Sequence, residues 1–564
     1  MKPIIILFIL VQIIHFAGTW KLYVKAGRKA WEAAVPVYNA FVLTKIINRP
    51  WWWVLLLFVP VINLLMFPSF WVETVRSFGR EKTTDVILAV LTLGFYIFYL
   101  NYSDDVTYLK DRQLKPYTKA GEWVTSIVFA VIAATLVHNY FMRPYTIPTP
   151  SLEKSLLVGD YLFVSKFHYG ARIPMTALSL PMVHDTMPFP VKFRSYSTAV
   201  ELPYMRLPGL QKIKRNEIVV FNWPADTVRF FRDRSGIHVD KPLDKRSNYV
   251  KRCVGIPGDE LEIKDARIYI NGNPTVMPDR AEIQRFYTVE TKEFLSNAMI
   301  KKWNLWKEFK YRFYATGVAN FNRLMQNPAF ARIIKNKEYK DSIVEFESYY
   351  RMKPGEVRSL GIKALNKVTM NLTDGLAEKL KTYPGVTRVE VQSVPKGHYN
   401  PAIFPHSPAY PWSTDNFGPI RIPAKGETVA LTPENLPLYR RIISEYEHND
   451  LKVEGDKILI NGKPADSYTF QQDYYWMMGD NRNNSEDSRF WGFVPFDHVV
   501  GKPVFIFWSV EQSDKPLMKR IRWDRVFTTV HGTGKRVSYL PHFIVFLVLW
   551  QVVSFLRKRR KAAS

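Results

Sequence analysis

Cysteine is almost absent from this chain of 564 residues, because Cys253 is the only one. An intrachain disulfide therefore cannot form, and a metal site built on cysteine is not expected. The sequence also has no zinc-ligand spacing, no glycine loop of the kind that cradles phosphates and no RNA-binding signature. None of these motif-defined classes is indicated.

Acidic residues are also few compared with basic ones. The chain has 51 Asp and Glu against 78 Lys and Arg, a formal net charge of +27. Because apolar runs are clustered along the chain, an anionic membrane surface explains the positive charge more simply than nucleic acid does. The aromatic content of 15% suits the interfacial belts of membrane proteins.

Apolar runs predict five membrane helices, at residues 3–20, 51–72, 86–100, 123–142 and 540–556. Basic clusters follow the first, third and last runs, and positive charge stays on the cytoplasmic side. This rule places residues 143–536 outside. The loop 73–85 conflicts with it, because the loop carries three basic residues but is predicted to lie outside. For the first run, a cleaved signal peptide is the alternative.

Ser151 comes nine residues after the fourth apolar run, in the sequence Ile147-Pro148-Thr149-Pro150-Ser151. The two prolines disfavour helix and keep the residues before them extended. We therefore expect Ser151 on rigid, non-helical backbone just above a membrane surface. In isolation, a linker serine would be the simpler interpretation.

Outside the membrane, three runs rich in β-branched and aromatic residues predict strands at 161–166, 217–221 and 504–509. A compact β-barrel or sandwich fits them best. The stretches 261–274 and 451–464 align without gaps, and each contains a strand followed by Asn-Gly, so they predict one hairpin used twice.

The two hairpins are expected to bracket an inserted α+β module over residues 275–450. Within it, residues 281–340 are rich in Lys, Arg, Phe, Tyr and Trp with helical spacing, which predicts basic, aromatic helices. Residues 368–391 predict a strand, a helix and a second strand.

A serine nucleophile needs a base, and the histidines stand in dissimilar contexts that form no constellation. A neutral lysine can replace histidine. Lys251 lies in a strand-like run among apolar residues, and burial there would lower its pKa. The alternative for Lys251 is a solvent-exposed lysine at a strand edge. The loop 477–495 is dense in small polar and charged residues, which indicates internal hydrogen bonds.

These segments together resemble the bacterial type I signal (leader) peptidases, a family of membrane serine proteases with a Ser/Lys dyad. The resemblance covers residues 147–166, 213–224, 249–259 and 474–501 in the family's order. Its most specific part is the loop 479–495. It implies a multi-pass α-helical membrane region and an extracytoplasmic, mainly-β catalytic domain, with the α+β module inserted in it.

Residue by residue, the resemblance implies that Ser151 is the nucleophile and Lys251 its general base. Ser485 would orient the lysine amine, and Thr149 with the Ser151 backbone N–H would form the oxyanion hole. The residues implied to line pockets for small side chains are Tyr145, Ile147, Pro148, Leu156 and Val250. Those implied to brace the site are Arg252, Asp480, Asp487 and Arg489. Two residues depart from the family pattern: Leu152 stands where methionine usually follows the serine and is of similar volume, and Cys253 stands where a small residue is usual and is interpreted as core packing.

The implied function is removal of signal peptides from exported preproteins by cleavage after small residues, of the Ala-x-Ala type, without a metal or cofactor. The implied partners are signal peptides and the lipid bilayer, with the export translocon as a further candidate and no nucleic acid. The implied location is the cytoplasmic (inner) membrane, with the catalytic domain on the outer, periplasmic face.

Three other functions are weighed against this one. A catalytically inactive scaffold or export-complex subunit is disfavoured because Ser151, Lys251, Ser485 and Thr149 are all present. An intramembrane aspartic peptidase is disfavoured because no carboxylate lies inside the apolar runs. A lipid- or nucleic-acid-binding role of residues 281–340 stays open.

The expected divisions of the chain are a membrane region (1–120), the helix leading to the serine (121–142), a catalytic β domain in two parts (143–274 and 451–536), the module (275–450), and a C-terminal helix with its basic tail (537–564).

Overall fold

The computed structural model describes residues 2–102, 106–116, 118–187, 193–228, 235–293, 295, 297–349 and 352–563. Ser564, the end of the predicted basic tail, lies outside these ranges. The α-helices are α1 (Lys2–Lys25), α2 (Tyr38–Ile46), α3 (Trp53–Leu57), α4 (Asn63–Ser77), α5 (Thr83–Leu91), α6 (Tyr96–Tyr102), α7 (Lys119–Leu136), α8 (Asn297–Lys302), α9 (Val318–Met325), α10 (Pro328–Ile333), α11 (Pro354–Ser359), α12 (Asp374–Lys381), α13 (Leu436–Arg441), α14 (Ser488–Trp491), α15 (Leu517–Arg520) and α16 (Leu540–Ala563).

Within these ranges, three helical segments are long and apolar enough to cross a membrane: Ile5–Lys25, Lys119–Phe141 and Leu540–Arg560. The second consists of α7 and the π turn Val137–Phe141 that follows it. A fourth span would have to be the pair α5 and α6, which is bent by 116°. The run 86–100 is therefore not the straight helix that its composition predicts.

The apolar run 51–72 does not form the predicted membrane helix either. It divides into α3 and α4, and between them Val61 has a φ of 70°. Arg49 before the run and Arg76 after it both contact the carboxylate of Glu73, at 3.0 and 3.4 Å. A helix that crosses ~30 Å of hydrocarbon would hold these arginines apart. The run folds back instead, so the predictions of a second span and of a loop 73–85 on the opposite side from Arg49 are wrong.

The strands are β1 (Met142–Thr146), β2 (Asp160–Ser165), β3 (Thr176–Ser179), β4 (Tyr196–Glu201), β5 (Ile218–Asn222), β6 (Asn248–Gly255), β7 (Glu260–Lys264), β8 (Arg267–Ile270), β9 (Asn273–Pro274), β10 (Gln284–Thr291), β11 (Phe309–Gly317), β12 (Ile334–Lys340), β13 (Ile343–Ser348), β14 (Lys363–Thr373), β15 (Val386–Val391), β16 (Phe417–Arg421), β17 (Thr428–Ala430), β18 (Leu451–Glu454), β19 (Lys457–Ile460), β20 (Lys463–Pro464), β21 (Ser467–Thr469), β22 (Tyr474–Met478), β23 (Val494–Pro495), β24 (Val499–Ser509) and β25 (Thr528–Thr529).

An eight-stranded antiparallel sheet has the order β1-β2-β24-β5-β6-β22-β23, with β25 paired to β24. It contains the three predicted strands, as β2, β5 and β24, which confirms them. All five residues of β5 and of β22 are buried, because both strands lie in the interior of the sheet. The sheet therefore brings together strands that are more than 300 residues apart in sequence.

The repeated stretches form the same hairpin twice, as predicted. Leu261 pairs with Ile270 in the first, and Leu451 pairs with Ile460 in the second. Each ends with a short third strand, β9 or β20. The first hairpin also pairs with β16 in a four-stranded sheet.

A six-stranded sheet has the order β12-β13-β11-β14-β10-β15. The predicted strand, helix and strand of residues 368–391 are confirmed as β14, α12 and β15. The helical spacing of residues 281–340 is misleading, because β10, β11 and β12 account for much of this stretch and α8, α9 and α10 are short. Val289 and Tyr314 lie on paired strands of this sheet and are fully buried, whereas one face of an amphipathic helix would stay exposed.

Candidate active site

Ser151 lies in a tight turn that follows β1. Pro150–Leu152 form one turn of 3-10 helix, and Thr149 before it is extended, with φ of −134° and ψ of 152°. Proline suits the first position of a helical turn because it has no N–H that needs a partner. The expectation of non-helical backbone is therefore correct for Thr149 and wrong for Ser151 itself. Ser151 is only 6% exposed.

Asn481 holds this turn from a distant part of the chain. Its backbone N–H donates to the carbonyl oxygen of Ser151 at 3.1 Å, and its Nδ2 donates to the carbonyl oxygen of Pro150 at 3.0 Å. Asn481 is missing from the residues that the sequence predicts for the site. Its position inside the loop 479–495 is the one signal that could have found it.

Lys251 occupies the middle of β6, opposite Val219 of β5. Its side chain is buried, and burial lowers its pKa to about 8 because desolvation disfavours the ammonium. The carboxylates of Asp487 and Glu486 oppose part of this shift. Near neutral pH, a lysine with this pKa is unprotonated in a useful fraction of molecules.

Gly479 brings Ser485 and the Ser151 turn together because it has no side chain. A Cβ at this position would lie 2.2 Å from Ser485 Oγ and 2.6 Å from the carbonyl oxygen of Ser151. Ser485 Oγ is buried and has no hydrogen-bond partner among the residues that the structure describes. Within those same residues, no hydrogen bond joins the Ser151 hydroxyl to Lys251 Nζ.

Two buried ion pairs brace the loop 479–495. Arg252 on β6 donates to both oxygens of Asp480, at 2.8 and 2.6 Å. Arg489 donates to both oxygens of Asp487, at 2.8 and 2.9 Å, and Asp487 also accepts from the backbone N–H of Gly479 at 3.0 Å. Burial alone would raise the pKa of each carboxyl, but the paired guanidinium, together with other hydrogen bonds and nearby positive charges, outweighs burial and lowers the pKa. Both carboxylates therefore stay ionised and fix the loop.

Three of the five residues expected to line the pockets meet at one apolar cluster: Ile147, Leu156 and Val250. Leu152, next to Ser151, is buried in the same cluster. Tyr145 packs with Val250 against a smaller cluster of valines. Pro148 is exposed.

The six-stranded sheet also contacts the Ser151 turn and the loop. On β14, Asn371 Nδ2 donates to Oδ1 of Asn481 at 3.0 Å, and the Asn371 backbone N–H donates to the carbonyl oxygen of Glu308 at 2.7 Å. The Glu308 carboxylate pairs with Lys154, just after the Ser151 turn, at 2.6 Å. The backbone N–H of Gln284, at the start of β10, donates to the Asp480 carbonyl at 2.8 Å. Nothing in the sequence indicates these contacts, and all of them except the bond between Asn371 and Glu308 join residues more than 100 positions apart.

Two families match the chain. The family described as "Signal peptidase, peptidase S26" matches residues 120–314 and 425–508, and these ranges contain Ser151, Lys251 and Ser485. A family of unknown function, DUF5684, matches residues 31–111, in the N-terminal helical region.

Curated relatives agree with the first match. The chain is similar to signal peptidase I of Helicobacter pylori, with 22% identity over 432 residues, which cover 75% of this chain and 96% of the relative. It is also similar to signal peptidase I of Haemophilus influenzae, with 21% identity over 427 residues, 74% of this chain and 78% of the relative. For signal peptidase I of Rickettsia canadensis the identity is 29% over 178 residues, 32% of this chain and 52% of the relative. The chain belongs to the peptidase S26 family, among the type I signal peptidases.

Proposed function

We propose that this protein is a membrane-bound serine endopeptidase that removes N-terminal signal peptides from exported preproteins, cleaving after small residues of the Ala-x-Ala type. The observation that carries the proposal is the meeting of three segments that are far apart in sequence. The Ser151 turn is hydrogen-bonded to Asn481, Gly479 packs between that turn and Ser485, and the pKa of the buried Lys251 is influenced by carboxylates of the same loop.

In the proposed reaction, neutral Lys251 Nζ accepts the proton of the Ser151 hydroxyl as Oγ attacks the carbonyl carbon of the scissile bond. The Thr149 hydroxyl and the Ser151 N–H donate to the oxyanion of the tetrahedral intermediate. The Lys251 ammonium then returns its proton to the leaving amine, and an acyl-enzyme on Ser151 remains. Water deprotonated by the same lysine hydrolyses that ester, and Ser485 keeps the amine oriented in both steps.

Specificity for small side chains follows from the apolar surface beside the turn. An extended substrate is proposed to lie beside Tyr145, Ile147, Pro148, Leu156 and Val250. Because Ile147 and Leu156 are buried, the remaining space is expected to suit alanine better than a larger residue. The charged residues Arg252, Asp480, Asp487 and Arg489 fix the loop and take no part in proton transfer.

The proposed organisation keeps the divisions predicted from the sequence, with residues 275–450 as an inserted module, except for the courses of the runs 51–72 and 86–100. Two observations support it: β1 begins directly after the π turn that extends α7, and the peptidase family match omits residues 315–424, which contain β12 to β15. The catalytic part is proposed to lie on the outer face of the cytoplasmic (inner) membrane, with signal peptides and lipid as partners and the translocon as a further one.

The test uses the full chain in detergent and a preprotein with an Ala-x-Ala site, with the products identified by mass spectrometry. We expect cleavage directly after that site by the wild type and none by Ser151→Ala. The matched control Ser407→Ala, at a partly exposed serine of another loop, should cleave normally. Cleavage by Ser151→Ala would refute the proposed nucleophile. A wild type that binds the preprotein without cutting it would favour the inactive scaffold.

A further inference from the structure

A cavity of ≈ 390 Å³ lies away from Ser151, between the first hairpin, the six-stranded sheet and the loop 479–495. Its lining includes Arg267 and Thr275 near the hairpin, Arg285 and Asp374 from the six-stranded sheet, and Arg482 from the loop. Its volume is within the range of small-molecule sites, roughly 300–1,000 Å³. None of the residues proposed for catalysis lines it.

Arg482 is the unusual member of this lining. Its side chain is 3% exposed, and its Nε and Nη2 have no hydrogen-bond partner among the described residues. Burial lowers its pKa to about 9, and the positive charges of Arg285 and Arg489 add to this effect. Buried arginines are normally paired with an anion, since an unpaired buried charge is strongly unfavourable.

No carboxylate of the described residues forms an ion pair with Arg482, because the nearby Asp480 and Asp487, which act on it only at longer range, are already paired with Arg252 and Arg489. Three arginines line it against two carboxylates, those of Glu282 and Asp374. The Asp374 carboxylate already accepts from Arg285 and from the Tyr287 hydroxyl. Glu282 is exposed, and no ion pair joins it to a described residue.

Thr275 contributes a second donor to the same cavity. Its Oγ1 is buried and, like Arg482 Nε, has no partner within the described ranges. A guanidinium and a hydroxyl that both lack an acceptor fit a ligand that brings several acceptor oxygens at once.

We infer that this cavity binds a phosphate-type oxyanion, either free phosphate or the phosphate of an anionic lipid head group. The planar fork of Arg482 donates to two of its oxygens, and Thr275 Oγ1 donates to a third. The site stands independently of the proposed peptidase reaction. Binding is expected to reach the Ser151 turn, because Arg482 directly follows Asn481, which holds that turn.

The test measures binding of inorganic phosphate to the full chain in a maltoside detergent, which contains no phosphate, at constant ionic strength. We expect a saturable rise in melting temperature and saturable heat in calorimetric titration. Arg482→Gln should weaken this binding at least tenfold, whereas the matched control Arg358→Gln, at an exposed arginine outside the cavity, should not change it. Absence of saturable binding, or equal binding by Arg482→Gln, would overturn the inference.

Two further arms keep the test decisive. If Arg482→Gln does not fold, Thr275→Val, which removes the proposed hydroxyl donor, replaces it, and an unchanged affinity there would overturn the inference. To separate the two sources, the melting temperature is compared in maltoside micelles and in phosphatidylglycerol bicelles without added phosphate. A rise in the bicelles that Arg482→Gln abolishes assigns the phosphate to lipid, and a response to soluble phosphate alone assigns it to the free ion.

Discussion

The six-stranded and eight-stranded sheets each bury an ionisable side chain, but the two side chains differ in their hydrogen bonds. In the six-stranded sheet, the Glu347 carboxylate accepts from Thr369 Oγ1 at 2.8 Å, Gln392 Nε2 at 3.2 Å and Asn336 Nδ2 at 2.8 Å. In the eight-stranded sheet, the equally buried Lys251 makes no hydrogen bond to any described residue, and its pKa is lowered.

This difference fits the proposal that Glu347 has a structural role and Lys251 a reactive one. A buried charge with its hydrogen bonds satisfied can be retained as part of the packing, whereas one without them costs stability. Such a cost is characteristic of functional sites, where the perturbed group acts on a substrate. The comparison therefore supports the proposal that the eight-stranded sheet carries the chemistry and the six-stranded sheet supports it, and the changes below test that division.

The largest effect is expected from Lys251→Met. It removes the proposed general base, so kcat/KM for preprotein cleavage should fall by at least ~10³-fold. The same change should stabilise the protein at pH 7, by up to about 3 kcal/mol, because a charged lysine no longer has to be desolvated. The measurements are cleavage rate and denaturant unfolding in detergent.

The stability gain has a defined pH dependence. The folded-state pKa of Lys251, about 8, lies below its unfolded value. The desolvation cost is therefore fully present below pH 8 and disappears as the pH rises toward ~10.4. Lys251→Met should thus lose its advantage over that interval. A variant no more stable than the wild type at pH 7 would contradict the proposed cost.

The pH dependence of cleavage should follow the same group. Because only neutral Lys251 can accept a proton, kcat/KM should rise with pH through about 8 and then level off. At pH 7 the rate should be roughly a tenth of its plateau. A profile that is flat between pH 6 and 9 would show that another base acts.

A smaller effect is expected when the support from the six-stranded sheet is removed. Asn371→Ala deletes the hydrogen bond to Asn481 and should lower kcat by roughly 5- to 30-fold with little change in KM, because the Ser151 turn loses its alignment. The control is Asn366→Ala on the same strand, where the side chain of an exposed asparagine donates to the Lys292 carbonyl, away from Asn481. If both variants cleave like the wild type, the six-stranded sheet does not support the site.

The smallest effect is expected in the repeated hairpins. Asn271 and Asn461 have φ of 52° and 53°, and their Oδ1 atoms accept from the backbone N–H groups of Glu260 and Asp450 at 2.8 and 3.0 Å. Alanine at either position should lower stability by about 1 kcal/mol and leave cleavage unchanged. Hydrogen exchange in each hairpin measures this effect. Unequal losses of stability in the two variants would show that the two hairpins contribute differently to the stability of the protein.

Local patterns are sufficient where short-range preferences and burial agree. The strand 161–166 is a run rich in β-branched and aromatic residues bounded by turn residues, and Asn-Gly fixes both hairpins, so these elements follow from the sequence. Residues 281–340 show the opposite case. There the helical spacing competes with pairing to β14, whose partner residues lie up to ~90 positions away and are invisible to a local pattern.

The site divides in the same way. Ser151, Lys251 and Ser485 carry recognisable neighbours in sequence, so the amino-acid sequence alone is enough to propose them. Asn481 and Asn371 act through hydrogen bonds that span 331 and 110 residues, and an asparagine has no local feature that marks such a role. The course of the run 51–72 does not follow from composition, because composition does not reveal that Arg49 and Arg76 share one carboxylate.

The anchoring of the Ser151 turn by Asn481 has a mechanical consequence. The turn is clamped by a loop of the folded body, whereas the π turn Val137–Phe141 is the joint between that body and α7. When α7 tilts to match a thinner or thicker bilayer, we expect the change in its angle to the folded body to occur at this π turn. The orientation of Ser151 within the site would then be independent of the tilt of α7. Only the height of Ser151 above the lipid would change with the helix.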